Sequence, residues 1–176
     1  MTKTPKIEEL SKLRYSSFQT HEGYVGAIVL QPLGHYCGYV GVPPGHPAYG
    51  GDYTSDEDIY FLEVHGGVTY SGEQNEENGN YPTQDPEYDG RWFIGFDAAH
   101  AYDLPNPSRV IESDEFTEEE KKRAYHYGKA MLDSVEKMRE EVAEETTFKD
   151  YGFILREVFS LSEQLKHLED QAEGVL

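Results

Sequence analysis

The sequence has one cysteine, Cys37, among its 176 residues. A single thiol rules out an internal disulfide and every motif that needs two cysteines in one chain. Long apolar runs are absent as well, because no stretch approaches the roughly 18 apolar residues that predict a membrane span. The first twenty residues also lack the apolar segment of a signal peptide. We therefore expect a cytoplasmic protein without a membrane partner.

Basic residues are also scarce, and none occurs between Arg14 and Arg91. The chain carries 34 acidic and 15 basic residues, a formal net charge of -19. Affinity for nucleic-acid backbones and anionic membranes rests on lysine and arginine, so neither is predicted as a partner. Solubility is the simplest interpretation of the charge. A more specific interpretation of the charge is a protein-binding inhibitor or DNA mimic that acts through an acidic surface.

The remaining composition predicts one folded domain of the α+β class. Hydrophobic residues make up 37% of the chain, which is enough for one core. Strand-like runs bounded by glycine and proline predict a small, mostly antiparallel sheet. The predicted strands are residues 23–30, 36–42, 59–70 and 91–96, preceded by a short helix at 5–13. Residues 1–113 would form this motif-bearing core. Residues 114–176 would form a C-terminal helical hairpin that packs on the core or mediates oligomerisation.

Two segments of the core are predicted to lack regular structure. Residues 71–90 are long and polar, which predicts a mobile surface insertion. Residues 103–113 contain Pro105 and Pro107, which are expected to break any helix there.

The C-terminal region carries strong helix signals. Thr117 followed by Glu120 is a capping box, which predicts a helix that runs to about residue 145. A last helix is predicted from Asp150, with apolar residues at alternating steps of four and three. These residues are Ile154, Val158, Leu161, Leu165 and Leu168. The spacing fits a helix packed on the sheet and also the seam of a homo-oligomer, and both interpretations stay open.

Three glycine-flanked stretches, residues 34–47, 64–70 and 92–100, concentrate the chemically distinctive side chains. They contain four of the seven histidines, the only cysteine and the only tryptophan. Aromatic rings can stack on a nucleobase, and glycine-rich turns offer backbone N–H groups. We therefore predict one pocket for a small nucleotide-like ligand. The predicted ligand-binding residues are His35, Tyr39, His46, His65, Tyr70, Trp92, Asp97 and His100.

The same stretches also suit metal chemistry, because histidine, cysteine and carboxylate bind zinc and related divalent metals. The candidate metal ligands are His35, Cys37, His65 and His100. The candidate catalytic residues are Asp97, His100 and Glu63, and Asp103 belongs to the same polar set. No HExxH or comparable signature is present, so no cofactor is firmly predicted and binding is favoured over catalysis. A cysteine nucleophile is favoured least, because Cys37 lies within a predicted strand.

The three stretches resemble a family of small proteins found in bacteriophages and prophages. The likeness lies in GHYCGYVGVPPGHP at 34–47, VHGGVTY at 64–70 and WFIGFDAAH at 92–100. The family pattern is similar to GHxCGYVGVPxGHP, then VHGGLT, then WWxGFDCAH. This chain departs from it at Ala98, where members often carry a second cysteine. That departure weakens any metal site that would use this position.

The resemblance implies a setting for the protein and leaves its activity open. Small acidic accessory proteins of phages are often counter-defence factors, and some sequester host nucleotide signals. The first prediction is therefore a phage-type protein that sequesters a nucleotide-like immune signal in the cytoplasm of an infected or lysogenic bacterium. A metal-dependent hydrolase with Asp97 or Glu63 as general base is the alternative. An acidic inhibitor or DNA mimic is the second alternative.

Overall fold

The computed structural model describes residues 6–75, 82–137 and 147–174. Its strands are β1 Tyr15–Gln19, β2 Val25–Leu30, β3 Tyr36–Val42, β4 Tyr70–Glu73, β5 Trp92–Asp97, β6 Asp103–Leu104 and β7 Thr147–Phe148. Its α-helices are α1 Ile7–Leu10, α2 Glu57–Tyr60, α3 Pro107–Ile111, α4 Glu118–Lys137 and α5 Tyr151–Ala172. Five strands form an antiparallel sheet in the order β1-β2-β3-β5-β4, and β6 pairs in parallel with β7. The α+β prediction is confirmed. None of the described helices is both long and apolar enough to cross a membrane.

The apolar stripe of α5 forms the core against β2 and β3. Ile154, Val158 and Leu161 are fully buried there, as is Leu165. Close packing depends on Gly38 of β3, where a Cβ would lie 2.5 Å from the Phe96 ring and 2.8 Å from Val158. These four α5 side chains are therefore buried against the sheet, and the prediction of a homo-oligomer through the C-terminal helices stays a prediction.

The caps of both long helices follow the sequence signals. Thr117 Oγ1 accepts the Glu120 N–H at 3.2 Å, and Glu120 Oε2 accepts the Thr117 N–H at 2.9 Å. Asp150 caps α5 by accepting the Phe153 N–H at 2.8 Å. Helix α4 is described to Lys137, and the rest of its predicted length lies outside the described residues. It packs on α3 and β6, whereas α5 packs on the sheet.

The predicted strand at 59–70 is wrong over most of its length. Asp56 accepts the Asp58 N–H at 3.0 Å and begins the one-turn helix α2, so the first two residues of the predicted strand are helical. Residues 61–69 form turns and irregular structure. The pairing strand begins only at Tyr70. Strand β1 was missed because its sequence, YSSFQ, is half polar and belongs to an edge strand. The first helix is described only as the single turn of α1, and Thr4 and Pro5 of its prediction lie outside the described residues.

The two segments predicted to be irregular are ordered where they are described. Pro107 lies in the first turn of α3, where proline is compatible with a helix, and Asn106 caps it. In the 71–90 segment, Gln74 and Thr83 are fully buried and hydrogen-bonded to each other at 2.8 Å. The Gln74 amide also donates to the Asp85 carbonyl at 2.9 Å. The ends of this segment are therefore anchored and do not form a loose insertion.

Candidate functional site

The candidate site lies at the end of the sheet where β5 finishes and β3 begins. Cys37 pairs with Asp97 across these two strands, so residues just before β3 and just after β5 meet at this edge. The loop after β5 brings His100 there, and Asp103 follows at the start of β6. The loop that contains Gly66 brings His65 to the same place.

Asp103 is the centre of the site and is 1% exposed. Its carboxylate accepts from His65 Nε2 at 2.8 Å and from His100 Nδ1 at 3.0 Å. It also accepts the main-chain N–H of His100 at 3.0 Å, and Lys149 Nζ lies 3.7 Å from its second oxygen. The pairing of β6 with β7 places Asp103 opposite Thr147, two residues before Lys149 in a distant part of the chain.

The electrostatics of the site keep Asp103 ionised. Burial by itself raises the pKa of this carboxyl, but hydrogen bonds from His65 and His100 outweigh it, so the net pKa is lowered. A carboxylate can only accept hydrogen bonds, so Nε2 of His65 and Nδ1 of His100 both carry hydrogens in this arrangement. Asp103 thereby sets the orientation of both rings.

The two imidazole rings are held by close packing. Their centroids lie 5.2 Å apart at an interplanar angle of 82°, and the His65 ring also meets Phe153 edge to face at 5.3 Å. Gly66 lies directly against His100, since a Cβ at this position would come within 2.0 Å of the ring. Its φ of +71° is also one that glycine adopts readily. Glycine is therefore required here for both backbone conformation and space.

Asp97 lies at the rim of the site and is more exposed than Asp103. Its Oδ1 accepts the Ala99 N–H at 3.0 Å and lies 3.9 Å from His100 Nε2. Its Oδ2 accepts the Thr69 hydroxyl at 2.9 Å. Asp97 is thus held beside His100 with access to solvent, which suits a proton acceptor.

His35 is buried beside the site and has no hydrogen-bond partner for either ring nitrogen among the described residues. It precedes β3, is 5% exposed and meets the Tyr127 ring edge to face at 5.9 Å. Burial lowers its pKa. The Ala98 main chain lies close enough to the ring to offset part of this fall in the pKa. Its geometry is not that of an ordinary hydrogen bond. His35 is therefore a neutral, unsatisfied polar group that lies within electrostatic range of His100 and Asp103.

Other predicted site residues do not converge on this place. His46 is buried and structural, because Nε2 donates to the Leu165 carbonyl at 2.9 Å and Nδ1 accepts the Ala48 N–H at 3.0 Å. Burial lowers the pKa of His46. Glu63 is exposed, and the Gln164 amide bonds to its main chain rather than to its carboxylate.

The predicted stacking residues lie elsewhere in the fold. Tyr39 alternates to the sheet face opposite α5, where its ring meets Tyr70 at 5.4 Å in a separate small cluster. Trp92 donates from its indole to the Gly51 carbonyl at 3.2 Å and packs against Tyr49. The single aromatic pocket expected from the sequence is therefore not assembled by these residues.

Cys37 is unsuited to nucleophilic catalysis. The thiol is 7% exposed, and burial raises its pKa to about 11. At neutral pH it is protonated and shielded, so a thiolate nucleophile is not present.

His65, His100 and Asp103 together form a donor set that could hold a metal ion. One ligand atom from each lies within 4.8 Å of the others, the one such group among the residues that the structure describes. Ligands that share one zinc ion at about 2.0–2.2 Å lie roughly 3 to 3.5 Å apart, close to the nitrogen–oxygen separations seen here. A metal ion would take the place of the hydrogens that these two ring nitrogens donate to Asp103, because only an unprotonated ring nitrogen coordinates a metal. Two of these residues were predicted as ligands, and Asp103 was predicted only as part of the polar set. No sequence signal marks Lys149 as part of the site.

Comparison with models of protein families, with curated proteins and with solved structures gave no significant match to this chain. The bacteriophage resemblance stays a prediction, and the chemistry of the site has to be argued from its geometry.

Proposed function

We propose that the protein binds a divalent transition metal, zinc or a close relative, through His65, His100 and Asp103, and that it is a metal-dependent hydrolase. The observation that carries this proposal is the convergence of two imidazoles on one buried carboxylate. Three protein ligands leave a coordination position open, which is the pattern of catalytic rather than structural zinc sites.

The neighbouring residues suit hydrolysis by water. A bound metal would supply a water of lowered pKa and stabilise charge on the substrate. Asp97, held by Thr69 and beside His100, is placed to accept the proton of that water. Hydrolysis of a phosphoester would then join the water oxygen to phosphorus and break the bond from phosphorus to the leaving oxygen, which would take the proton from Asp97. A nucleotide-like phosphoester fits this chemistry and the ligand class predicted from the sequence.

Sequestration of a nucleotide-like ligand at the same place, in the predicted phage counter-defence setting, is the second candidate. The observation that favours it is Lys149, which brings a cation to within 3.7 Å of Asp103. The sequence between Arg14 and Arg91 offers no such charge for an anionic ligand. In this candidate Asp103 and the histidines orient the ligand, and no bond is broken.

Calorimetric titration of metal-free protein with Zn²⁺, Mn²⁺ and Ni²⁺ tests the metal site. We expect one ion per chain for wild type, and at least about tenfold weaker binding for His100→Gln and for Asp103→Asn. The matched control is His21→Ala, because His21 is exposed and distant in sequence from the site residues. Absence of binding for all three ions, or binding that both site variants retain, would refute the site.

A second assay separates the two candidate functions. The metal-loaded protein is incubated with phosphomonoester, linear phosphodiester and cyclic dinucleotide substrates, and products are followed by chromatography. Turnover that disappears on chelation and returns with the metal supports the hydrolase. Stoichiometric binding of one substrate without turnover supports sequestration and contradicts the hydrolase.

A further inference from the structure

The end of helix α2 and the residue that follows it carry the two most exposed large apolar side chains of the described residues. Tyr60 and Phe61 are 65% and 71% exposed, and their rings meet edge to face at 5.4 Å. Their neighbours Ile59 and Leu62 are buried in the core, so the turn is anchored and its outward residues are held in place. The exposure is therefore a property of the folded surface rather than of a frayed end.

The surroundings of this aromatic pair are acidic. Glu57, Asp58 and Glu163 line the groove beside Phe61, where α2 meets α5. We call Glu57, Asp58, Tyr60, Phe61 and Glu163 the acidic aromatic patch. An exposed apolar pair rimmed by one sign of charge is typical of a surface that binds a partner.

A second groove, between α3 and α4, has the opposite charge. Lys121, Lys122 and His126 line it together with the apolar side chains of Ile111 and Tyr125, and Glu118 lies at its edge. Tyr125 is 52% exposed and Ile111 is 39% exposed. We call Ile111, Lys121, Lys122, Tyr125 and His126 the basic groove.

The basic groove stands out in a chain whose net charge is -19. Lys121 is paired with Glu118 at 3.5 Å, whereas Lys122 has no ion pair within the described ranges 6–75, 82–137 and 147–174. The two surfaces come from different elements and share no residue. Each surface combines exposed apolar side chains with charges opposite in sign to those of the other surface.

We propose that the acidic aromatic patch of one molecule docks into the basic groove of a second copy. Tyr60 and Phe61 supply aromatic anchors that Ile111 and Tyr125 receive, and Glu57 and Asp58 meet Lys121 and Lys122. Charge complementarity selects this pairing, because other contacts between two strongly acidic molecules bring like charges together. The contact joins different surfaces on the two copies, so it is heterologous and propagates into a closed ring or a chain. The proposal is independent of the metal site.

Mixing two variants tests this arrangement directly. One variant carries Tyr60→Ser and Phe61→Ser, and the other carries Lys121→Glu and Lys122→Glu. We expect wild type to self-associate in sedimentation velocity and each variant alone to be monomeric, with self-association at least about tenfold weaker. An equimolar mixture should form a one-to-one dimer, because the first variant keeps its groove and the second keeps its patch.

Two controls and the dependence on salt complete the experiment. Ile7→Ser removes an apolar side chain of 53% exposure outside both surfaces, and Arg123→Glu reverses a neighbouring charge that does not line the groove. Both should assemble as wild type does, and association should weaken as salt rises. Circular dichroism confirms that all variants fold. A wild type that stays monomeric, variants that still assemble alone, or a mixture that gives no dimer would each overturn the proposal.

Discussion

Replacing Asp103 by asparagine tests the reasoning behind the candidate site, because it changes the charge of the central side chain and hardly changes its size. The carboxylate is 1% exposed and accepts hydrogen bonds from the rings of His65 and His100. Asparagine offers one acceptor oxygen, and its amide presents N–H groups to ring nitrogens that already donate. At least one buried donor is left without a partner, and Lys149 loses its counter-ion.

The size of the effect follows from these losses. Breaking a buried charged pair costs about 3–5 kcal/mol, and hydrogen bonds to charged groups contribute about 1.5–3 kcal/mol each. We expect Asp103→Asn to lower the free energy of unfolding of the metal-free protein by about 3–4 kcal/mol. For a chain of this length that is a fall in Tm of roughly 10 °C. Urea unfolding followed by circular dichroism measures it, with the exposed Asp133→Asn as control.

The pH dependence provides a second check on Asp103. Its pKa is lower in the folded than in the unfolded protein. Its contribution to the free energy of unfolding is therefore complete above the unfolded pKa of about 3.9, and it is lost as the pH falls through the folded pKa. The stability difference between wild type and Asp103→Asn should therefore shrink as the pH falls below about 4. A difference below about 1 kcal/mol at pH 7, or one that grows as the pH falls below about 4, would refute the account of Asp103 as a buried, ionised residue.

Three further predictions concern single residues around the site. His35→Leu should raise the free energy of unfolding by about 1–2 kcal/mol, because it removes an unsatisfied buried imidazole; a loss of stability in urea unfolding would show that the ring has a partner. Gly66→Ala should cost about 1–2 kcal/mol more than Gly67→Ala, since both have positive φ but only Gly66 faces the His100 ring; equal Tm values would contradict that contact. Cys37 should react with iodoacetamide only on unfolding, because its pKa is raised to about 11; mass spectrometry that shows rapid labelling of the native protein would contradict its burial.

The elements that the sequence predicted well are those whose signals lie within a few residues. Strand β3 runs over Tyr36–Val42 as predicted, and the caps of α4 and α5 lie at Thr117 and Asp150. The errors occur where local patterns compete. The apolar residues of 59–70 were assigned to a strand, although the Asp56 cap begins a helical turn there and Gly66 and Gly67 take positive φ.

The candidate site was predicted in part for a related reason. His65, His100 and Asp97 were selected because they lie in glycine-flanked stretches, and the structure brings these three together. His46 also lies in a glycine-flanked stretch, but its ring donates a hydrogen bond to the Leu165 carbonyl of α5 and lies away from the site. Clustering along the sequence says nothing about which sheet face or helix a side chain meets.

By itself, the sequence determined the α+β class, the central strand, the caps of the long helices and the strongly acidic charge, because each depends on composition or on neighbouring residues. Only the tertiary structure decided which histidines share a carboxylate. His65 and Asp103 are 38 positions apart, and Lys149 reaches Asp103 through the pairing of β6 with β7. Such contacts depend on how the elements pack, and no local pattern encodes that packing.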